Sequence, residues 1–259
     1  MIKGIDHLVV VVNNLEQAAK DYETLGFTVV HGGKHPVGTH NVLISFADGS
    51  YLEMIAFYRE APDHRWWSAL QSGERLVDVC MQTDDLTGDT AKFREAGVNI
   101  NDPVPWSRTR PDGFELKWLL SLATGDDRGV APFLIQDITP REERVPANTG
   151  HKNGAVGIES VTIAIAGNTS AERWQKIFAG APATNFADDM LSAEGIRFRF
   201  GPHVLEYATA TGPESPLADC LRNFGPSPYA ATLFTEQTNP ALMDVSLTHG
   251  ANLSFVTKY

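Results

Sequence analysis

Two side chains in this sequence, His7 and Glu53, stand where their types could do chemistry together. His7 lies in Gly4-Ile5-Asp6-His7-Leu8-Val9-Val10-Val11, and Glu53 in Tyr51-Leu52-Glu53-Met54-Ile55-Ala56. Both stretches read as β-strands, in which alternate side chains share a face. Ile5, His7, Val9 and Val11 then fall on one face, and Tyr51, Glu53, Ile55 and Phe57 on one face of the other strand. A carboxylate among apolar neighbours is costly unless a hydrogen bond, a cation or a metal compensates it. An imidazole and a carboxylate turned toward one another could share a divalent ion such as Zn, Fe, Mn or Ni. The same two residues also fit a hydrogen-bonded core histidine and a strand-edge glutamate.

Further candidates lie nearby in the sequence. His40 follows a Gly38-Thr39 turn and titrates near neutrality, which suits a third ligand, a general acid or base, or an exposed histidine at a strand start. Arg108 and Arg110 flank Thr109 and precede the turn signal Pro111-Asp112-Gly113. The forked guanidinium of Arg110 could bind a substrate carboxylate or simply pair with Asp112. Trp118 and Phe133 could form an aromatic wall for an apolar substrate or serve as core. No glycine-rich phosphate loop and no Gly-x-Ser-x-Gly elbow is present, and neither Cys80 nor Cys220 belongs to a zinc-ligand or redox pair.

The elements that must position these residues repeat. Positions 7, 53 and 97 advanced by 153 become 160, 206 and 250: Ser160 in a second valine-bearing strand, Glu206 in a second Leu-Glu pair, and Gly250 after a second helix. A smaller shift of 71 maps Asn14-Leu15 onto Asp85-Leu86, Gly26 onto Gly97 and His7 onto Asp78. The chain therefore reads as tandem strand-helix-three-strand units, an α+β fold. In the first, a strand over 4–12 leads to a helix capped by Asn13 or Asn14. That helix carries the apolar stripe Leu15, Ala18, Ala19, Tyr22 and Leu25 and is closed by Gly26. Strands are expected near 27–30, 41–47 and 51–57, the last two joined at Asp48-Gly49. A partly helical link over 58–75 precedes a second unit from Leu76, with strands near 114–122 and 130–138.

Residues 139–153 are polar and proline-bearing and read as a connector. A third unit begins at Gly157; its helix opens at Thr169-Ser170-Ala171-Glu172, a capping-box pattern, and buries Trp174, Ile177 and Phe178. A fourth begins near Pro228, has a helix opening at Asn239-Pro240, and ends after a strand over 252–257, so that it looks truncated. The expected division is a complete domain over 1–145 and a truncated one over 150–259.

The chain has 259 residues and a net charge of −11, which disfavours a nucleic-acid backbone or an anionic membrane as main partner. No apolar run approaches the ~18–20 residues of a bilayer span, and no cleavable leader is evident. The two distant cysteines suit a reducing cytoplasm.

Several stretches together resemble the glyoxalase-like domain family of the vicinal oxygen chelate superfamily, which includes glyoxalase I, extradiol dioxygenases and bleomycin-resistance proteins. They are Gly4-Ile5-Asp6-His7, Gly38-Thr39-His40-Asn41, Tyr51 to Ala56, Arg108 to Gly113 with Leu116 and Trp118, and Pro132 to Asp137. The resemblance covers nearly all of residues 1–210. It implies paired units forming half-barrels around a metal, with ligands from the first and fourth strands of each unit. On that basis His7 and Glu53 would be ligands, and the partner unit would offer Gln136, with Asp78 as a weaker oxygen donor. It implies a metal-dependent enzyme on a small oxygen-rich organic substrate, in the lyase, isomerase or dioxygenase range. The ion would act as Lewis acid, with His40 or a metal-displaced carboxylate moving the proton. The alternative is a metal-free protein that sequesters a small molecule, as bleomycin-resistance proteins do. In the second half Ser160 replaces the histidine while Glu206 remains, which suits a degenerate copy that buttresses the first or forms a homodimer. His203, three residues before Glu206, should face the opposite side of its strand.

Overall fold

The structure, a computed structural model, describes residues 1–167, 171–238 and 243–258. The first unit runs β1 (Ile2–Val11), α1 (Leu15–Thr24), β2 (Val30–Lys34), β3 (Thr39–Ser45) and β4 (Tyr51–Phe57). After α2 (Trp67–Gln71) the second runs β5 (Arg75–Thr83), α3 (Leu86–Glu95), β6 (Val104–Thr109), β7 (Glu115–Ser121) and β8 (Phe133–Asp137). A short α4 (Arg141–Arg144) leads to the third: β9 (Ala155–Ala164), α5 (Ala171–Ile177), β10 (Ala183–Asp188), β11 (Ala193–Phe200) and β12 (His203–Ala210). Then follow α6 (Pro216–Phe224), β13 (Ser227–Thr235) and β14 (Asn252–Thr257). The helix expected at Asn239-Pro240 and the Thr169-Ser170 half of the expected capping box lie outside the described residues.

Local chemistry explains the elements that hold the site. α1 begins where the Asn14 side chain accepts the Gln17 N–H at 3.1 Å, and it buries Leu15, Ala18, Ala19 and Tyr22. It ends at Gly26, whose φ of +90° suits a residue without Cβ. The β3–β4 turn is closed by Asp48, which accepts from the Ser50 N–H and hydroxyl, with Gly49 at φ +87°.

The first two units close into one eight-stranded barrel, in the order β1-β4-β3-β2-β6-β7-β8-β5. β1 runs parallel to β4 and antiparallel to β5; β2 and β6 meet at one residue pair, Lys34 opposite Thr109. The second half is a six-stranded sheet in the order β10-β11-β12-β9-β13-β14. Its registers reproduce the repeat: Val9 faces Glu53 across β1–β4, and Thr162 faces Glu206 across β9–β12.

Strand alternation divides the apolar residues into two layers. Leu8, Val10, Leu52 and Met54 face outward into a core shared with α1, α3, α5 and the second sheet. Val9, Val11, Ile55, Cys80, Trp118 and Phe133 form a separate cluster inside the barrel. Trp174 of α5 stacks on Tyr207 of β12 with ring centroids 3.7 Å apart, and both are buried. The barrel is fixed to the second sheet by Asp48, whose carboxylate also accepts from the Ile158 N–H at 3.2 Å and contacts His203 Nε2 at 3.2 Å. His203 Nδ1 in turn accepts the Ile5 N–H at 2.8 Å, so this histidine is a tie between halves.

The segment after β8 is more than a polar connector. It carries Arg144, only 3% exposed, into the barrel wall, where it pairs with Asp6 and Asp137. Arg141 also pairs with Asp6. Among the described residues no helix is long and apolar enough to cross a membrane.

Candidate active site in the barrel

The barrel holds a narrow cavity of about 40 Å³, or about 480 Å³ of non-atom space when the solvent at its mouth is counted. Its polar wall is His7, His35, Thr39, Asn41, Glu53, His64, Arg108 and Arg144; its apolar wall includes Trp66, Trp106, Trp118, Phe133 and Ile135. The structure thus brings His7, Glu53, Trp118 and Phe133 together from four strands, β1, β4, β7 and β8. His7 Nε2 lies 3.3 Å from a Glu53 carboxylate oxygen. Two donors each ~2.1 Å from one ion lie about this far apart.

The imidazole of His7 is fixed from behind. Asp6 is fully buried, and its ion pairs with Arg144 and Arg141 outweigh the cost of burial and hold its carboxyl well below the usual range. That carboxylate accepts Nδ1–H of His7 at 2.7 Å, which turns Nε2 toward Glu53. The ring also stacks on Tyr51, centroids 4.5 Å apart. Burial opposes a charge on His7, yet Tyr51, Cys80 and the bond to Asp6 together raise its pKa well above the ordinary value. Burial likewise opposes ionisation of Glu53, but His7 and the Asn41 amide outweigh it and bring the carboxyl down to about 2. Asn41 donates to the other Glu53 oxygen at 2.5 Å.

Two histidines that the sequence did not single out line the same cavity. His35 follows β2 and is buried; its Nδ1 is hydrogen-bonded to the Thr39 hydroxyl at 3.0 Å. His64 follows β4, and its buried Nε2 has no hydrogen-bond partner. Burial depresses both to about 4, so each is a neutral imidazole at neutral pH.

The second unit contributes differently from the expectation. Register places Cys80 opposite His7 across β1–β5, and His7 beside Tyr51 as Cys80 is beside Phe133. By the same registers Val9 is beside Glu53 as Gln82 is beside Ile135. The second-unit counterparts of His7 and Glu53 are therefore Cys80 and Ile135, not Asp78 and Gln136. The shift of 71 fails because the cap Asn14 lies seven positions after His7, and the cap Asp85 only five positions after Cys80. Gln136 is one residue past Ile135 and so faces outward, where it accepts the Leu86 N–H at 2.9 Å at the start of α3. Asp78 is held by Arg65 and by Trp66 Nε1 at 2.8 Å.

His40 and Arg110 also lie outside the barrel cavity. His40 alternates with Asn41 on β3 and so points outward, edge-on to Tyr58. β6 ends at Thr109, and the following turn carries Arg110 to the surface, where it pairs with Asp112 and Glu143. Its neighbour Arg108, 4% exposed, is the arginine of that motif that enters the cavity.

The donor set suits a divalent metal. Three imidazoles and one ionised carboxylate share one cavity, two of the imidazoles have Nδ1 pinned by a polar side chain, and His64 Nε2 lacks a partner. Among the described residues the one triad of such donors whose atoms lie within 4.8 Å of one another is Asp6, His7 and Cys80; neither His35 nor His64 converges that closely with His7 and Glu53. That triad is less suited, because two guanidiniums already neutralise Asp6 and burial lifts the Cys80 thiol to about 12. In the third unit Glu206 accepts from Thr162 and pairs with Arg197, with Ser160 where His7 would stand.

With this geometry in hand, the chain belongs to the glyoxalase-like domain family, whose model matches residues 5–178. Comparison with curated protein sequences gives no match. The fold is similar over 98% of this chain and 99% of the other to the crystal structure of a hypothetical protein from Staphylococcus aureus, at 15% identity and a TM-score of 0.70. It is also similar to a mutant of 4-hydroxymandelate synthase from Streptomyces coelicolor, with 92% of this chain and 72% of that one covered, 17% identity and a TM-score of 0.66. At these identities the likeness is one of fold.

Proposed function

We propose that the barrel cavity is the active site of a metal-dependent glyoxalase-like enzyme acting on a small oxygen-rich organic molecule. The observation that carries this reading is the approach of His7 Nε2 to Glu53 at 3.3 Å, with Asp6 holding the far side of the imidazole. His7 and Glu53 would hold the ion, a combination of imidazole and carboxylate suited to Fe, Mn, Zn or Ni. Bound there, the ion would supply Lewis acidity to neighbouring oxygens of the substrate.

The remaining work belongs to the chain. Asn41 fixes the Glu53 carboxylate, and Thr39 fixes the His35 ring. Trp66, Trp106, Trp118 and Phe133 exclude water from the cavity and stack on a flat substrate. His64, neutral and with Nε2 free, accepts the proton that the substrate loses. Lyase, isomerase and dioxygenase chemistry all fit such a constellation. The 4-hydroxymandelate synthase neighbour supports the dioxygenase end of that range by analogy of fold alone.

Calorimetric titration of chelator-treated protein with Zn²⁺, Mn²⁺, Fe²⁺ and Ni²⁺ tests the proposal. Stoichiometric uptake that His7→Ala and Glu53→Gln abolish is expected; uptake unchanged by both substitutions defeats it. A metal-free binding protein is the second reading, favoured by Cys80 and Ile135 standing at the second-unit ligand positions. It requires tight small-molecule binding that His7→Ala and chelation leave intact.

A further inference from the structure

The charge inside the barrel is unevenly matched. Arg144 is buried and meets the carboxylates of Asp6 and Asp137. Arg65 meets Asp78. Arg108, equally buried, forms no ion pair among the described residues. Its Nη2 donates to the Arg144 carbonyl at 3.0 Å, its Nη1 reaches the Asn41 amide oxygen at a long 3.4 Å, and its Nε has no partner. A guanidinium presents five N–H donors in a fixed fork, and burying it without a counter-charge is expensive. Glu53, the carboxylate that lines the same cavity, is engaged by His7 and by the amide nitrogen of Asn41, whose oxygen faces Arg108.

The chain also keeps room around this group. A Cβ on Gly32 would lie 2.2 Å from Asn41 Oδ1 and 2.5 Å from Arg108 Nη1, so a side chain there would occupy the place of both. Gly33, at φ +133°, would bring a Cβ to 2.1 Å from the Thr109 carbonyl. Beside the fork, Trp106 and Trp118 face each other across β6–β7 and line the cavity.

We infer that Arg108 is the anchor for a negatively charged group, and that the ligand of this cavity is a small organic acid. Its carboxylate takes the unfilled donors of Arg108, and its flat apolar body lies against Trp106 and Trp118. A planar carboxylate matches the guanidinium fork, and the aromatic wall rewards a body without further charge. This rests on the reading of the barrel cavity as the active site and adds the class of substrate.

The test uses full-length protein freed of metal with a chelator, so that a carboxylate cannot bind through an ion. Acetate, 2-oxobutyrate, benzoate and phenylacetate are titrated calorimetrically, each beside its neutral amide. At least one acid is expected to bind about tenfold or more tightly than its amide, with Arg108→Gln removing that preference and Arg108→Lys restoring part of it. Equal binding of acid and amide, no binding by any member of the panel, or a preference that survives Arg108→Gln each overturns the inference. Should Arg108→Gln fail to fold by circular dichroism, the acid–amide comparison on the wild-type protein decides alone. Metal uptake is measured on the same preparations. Loss of acid preference with uptake retained isolates the role of Arg108, whereas a wild-type protein that takes up no metal sinks the metal reading and leaves the anchor standing.

Discussion

Cys80 stands directly opposite His7 across the β1–β5 pair, the place that a symmetric barrel would give to a second ligand histidine. Its thiol is wholly buried, and burial holds its proton on up to about 12. All the imidazole and carboxylate donors on the cavity, His7, His35, Glu53 and His64, come from the first unit and the segment that follows it. The barrel has two-fold architecture around a one-sided centre.

That asymmetry separates two substitutions. Cys80→Ser should leave metal uptake unchanged within about twofold and cost stability of about 1 kcal/mol, the usual scale of a small core change. Glu53→Gln should abolish uptake. Elemental analysis after dialysis against each metal measures both, and a Cys80→Ser protein that loses its metal refutes the assignment.

Removing the buried charge behind His7 should be severe. Arg144→Met leaves Asp6 with Arg141 and His7 and strips Asp137 of its closest cation. Breaking a buried pair from one side costs about 3–5 kcal/mol. Urea unfolding should show a loss of unfolding free energy of that size, and a near-neutral result would mean that the α4 segment is not part of the folded wall.

The tie between barrel and second sheet should weaken in acid. Burial opposes the Asp48 carboxylate, but His203 and Ser50 outweigh it and lower its pKa below 3.8 in the folded chain. A depressed folded pKa gives stability that is fully present above the unfolded value and is lost as pH falls through the folded value. Asp48→Asn should therefore cost about 1–3 kcal/mol at pH 7. The gap to wild type should close below the ordinary aspartate range. Denaturation midpoints from pH 7 down to about 3 measure it, and a gap independent of pH contradicts the role given to the charge.

Gly32→Ala tests the space reserved beside Arg108. The added methyl meets Asn41 and Arg108 at less than contact distance, so one of them must turn away. Overpacking of this kind costs about 1–3 kcal/mol. The acid preference of the cavity should fall with it while metal uptake persists; a variant with unchanged acid affinity would show that the neighbours move without consequence.

The parts of the fold legible in the sequence were those set by local rules. Asn14, Gly26 and the α1 stripe, the Asp48-Gly49 turn and the alternation in β1 and β4 each depend on a few adjacent residues, and each stands where expected. The repeat of 153 survives to the residue in the strand registers. What failed depended on register across distant strands. A connection two residues shorter in the second unit moved the counterpart of His7 from Asp78 to Cys80 and turned Gln136 outward. His35 and His64 carry no periodic signal, since both sit in connections. Arg144 was hidden in a stretch whose polarity reads as solvent-facing; its four-residue helix is too short to announce a buried face.

The meeting of β2 and β6 at the single pair Lys34–Thr109 makes the cylinder unequal around its circumference. Where most neighbours are stitched by a ladder of rungs, this join is stitched by one, and a wall yields first where it is least fastened. The loose join runs next to His35 and Arg108, so any local parting of these two strands would open the wall beside the cavity while leaving the longer ladders intact.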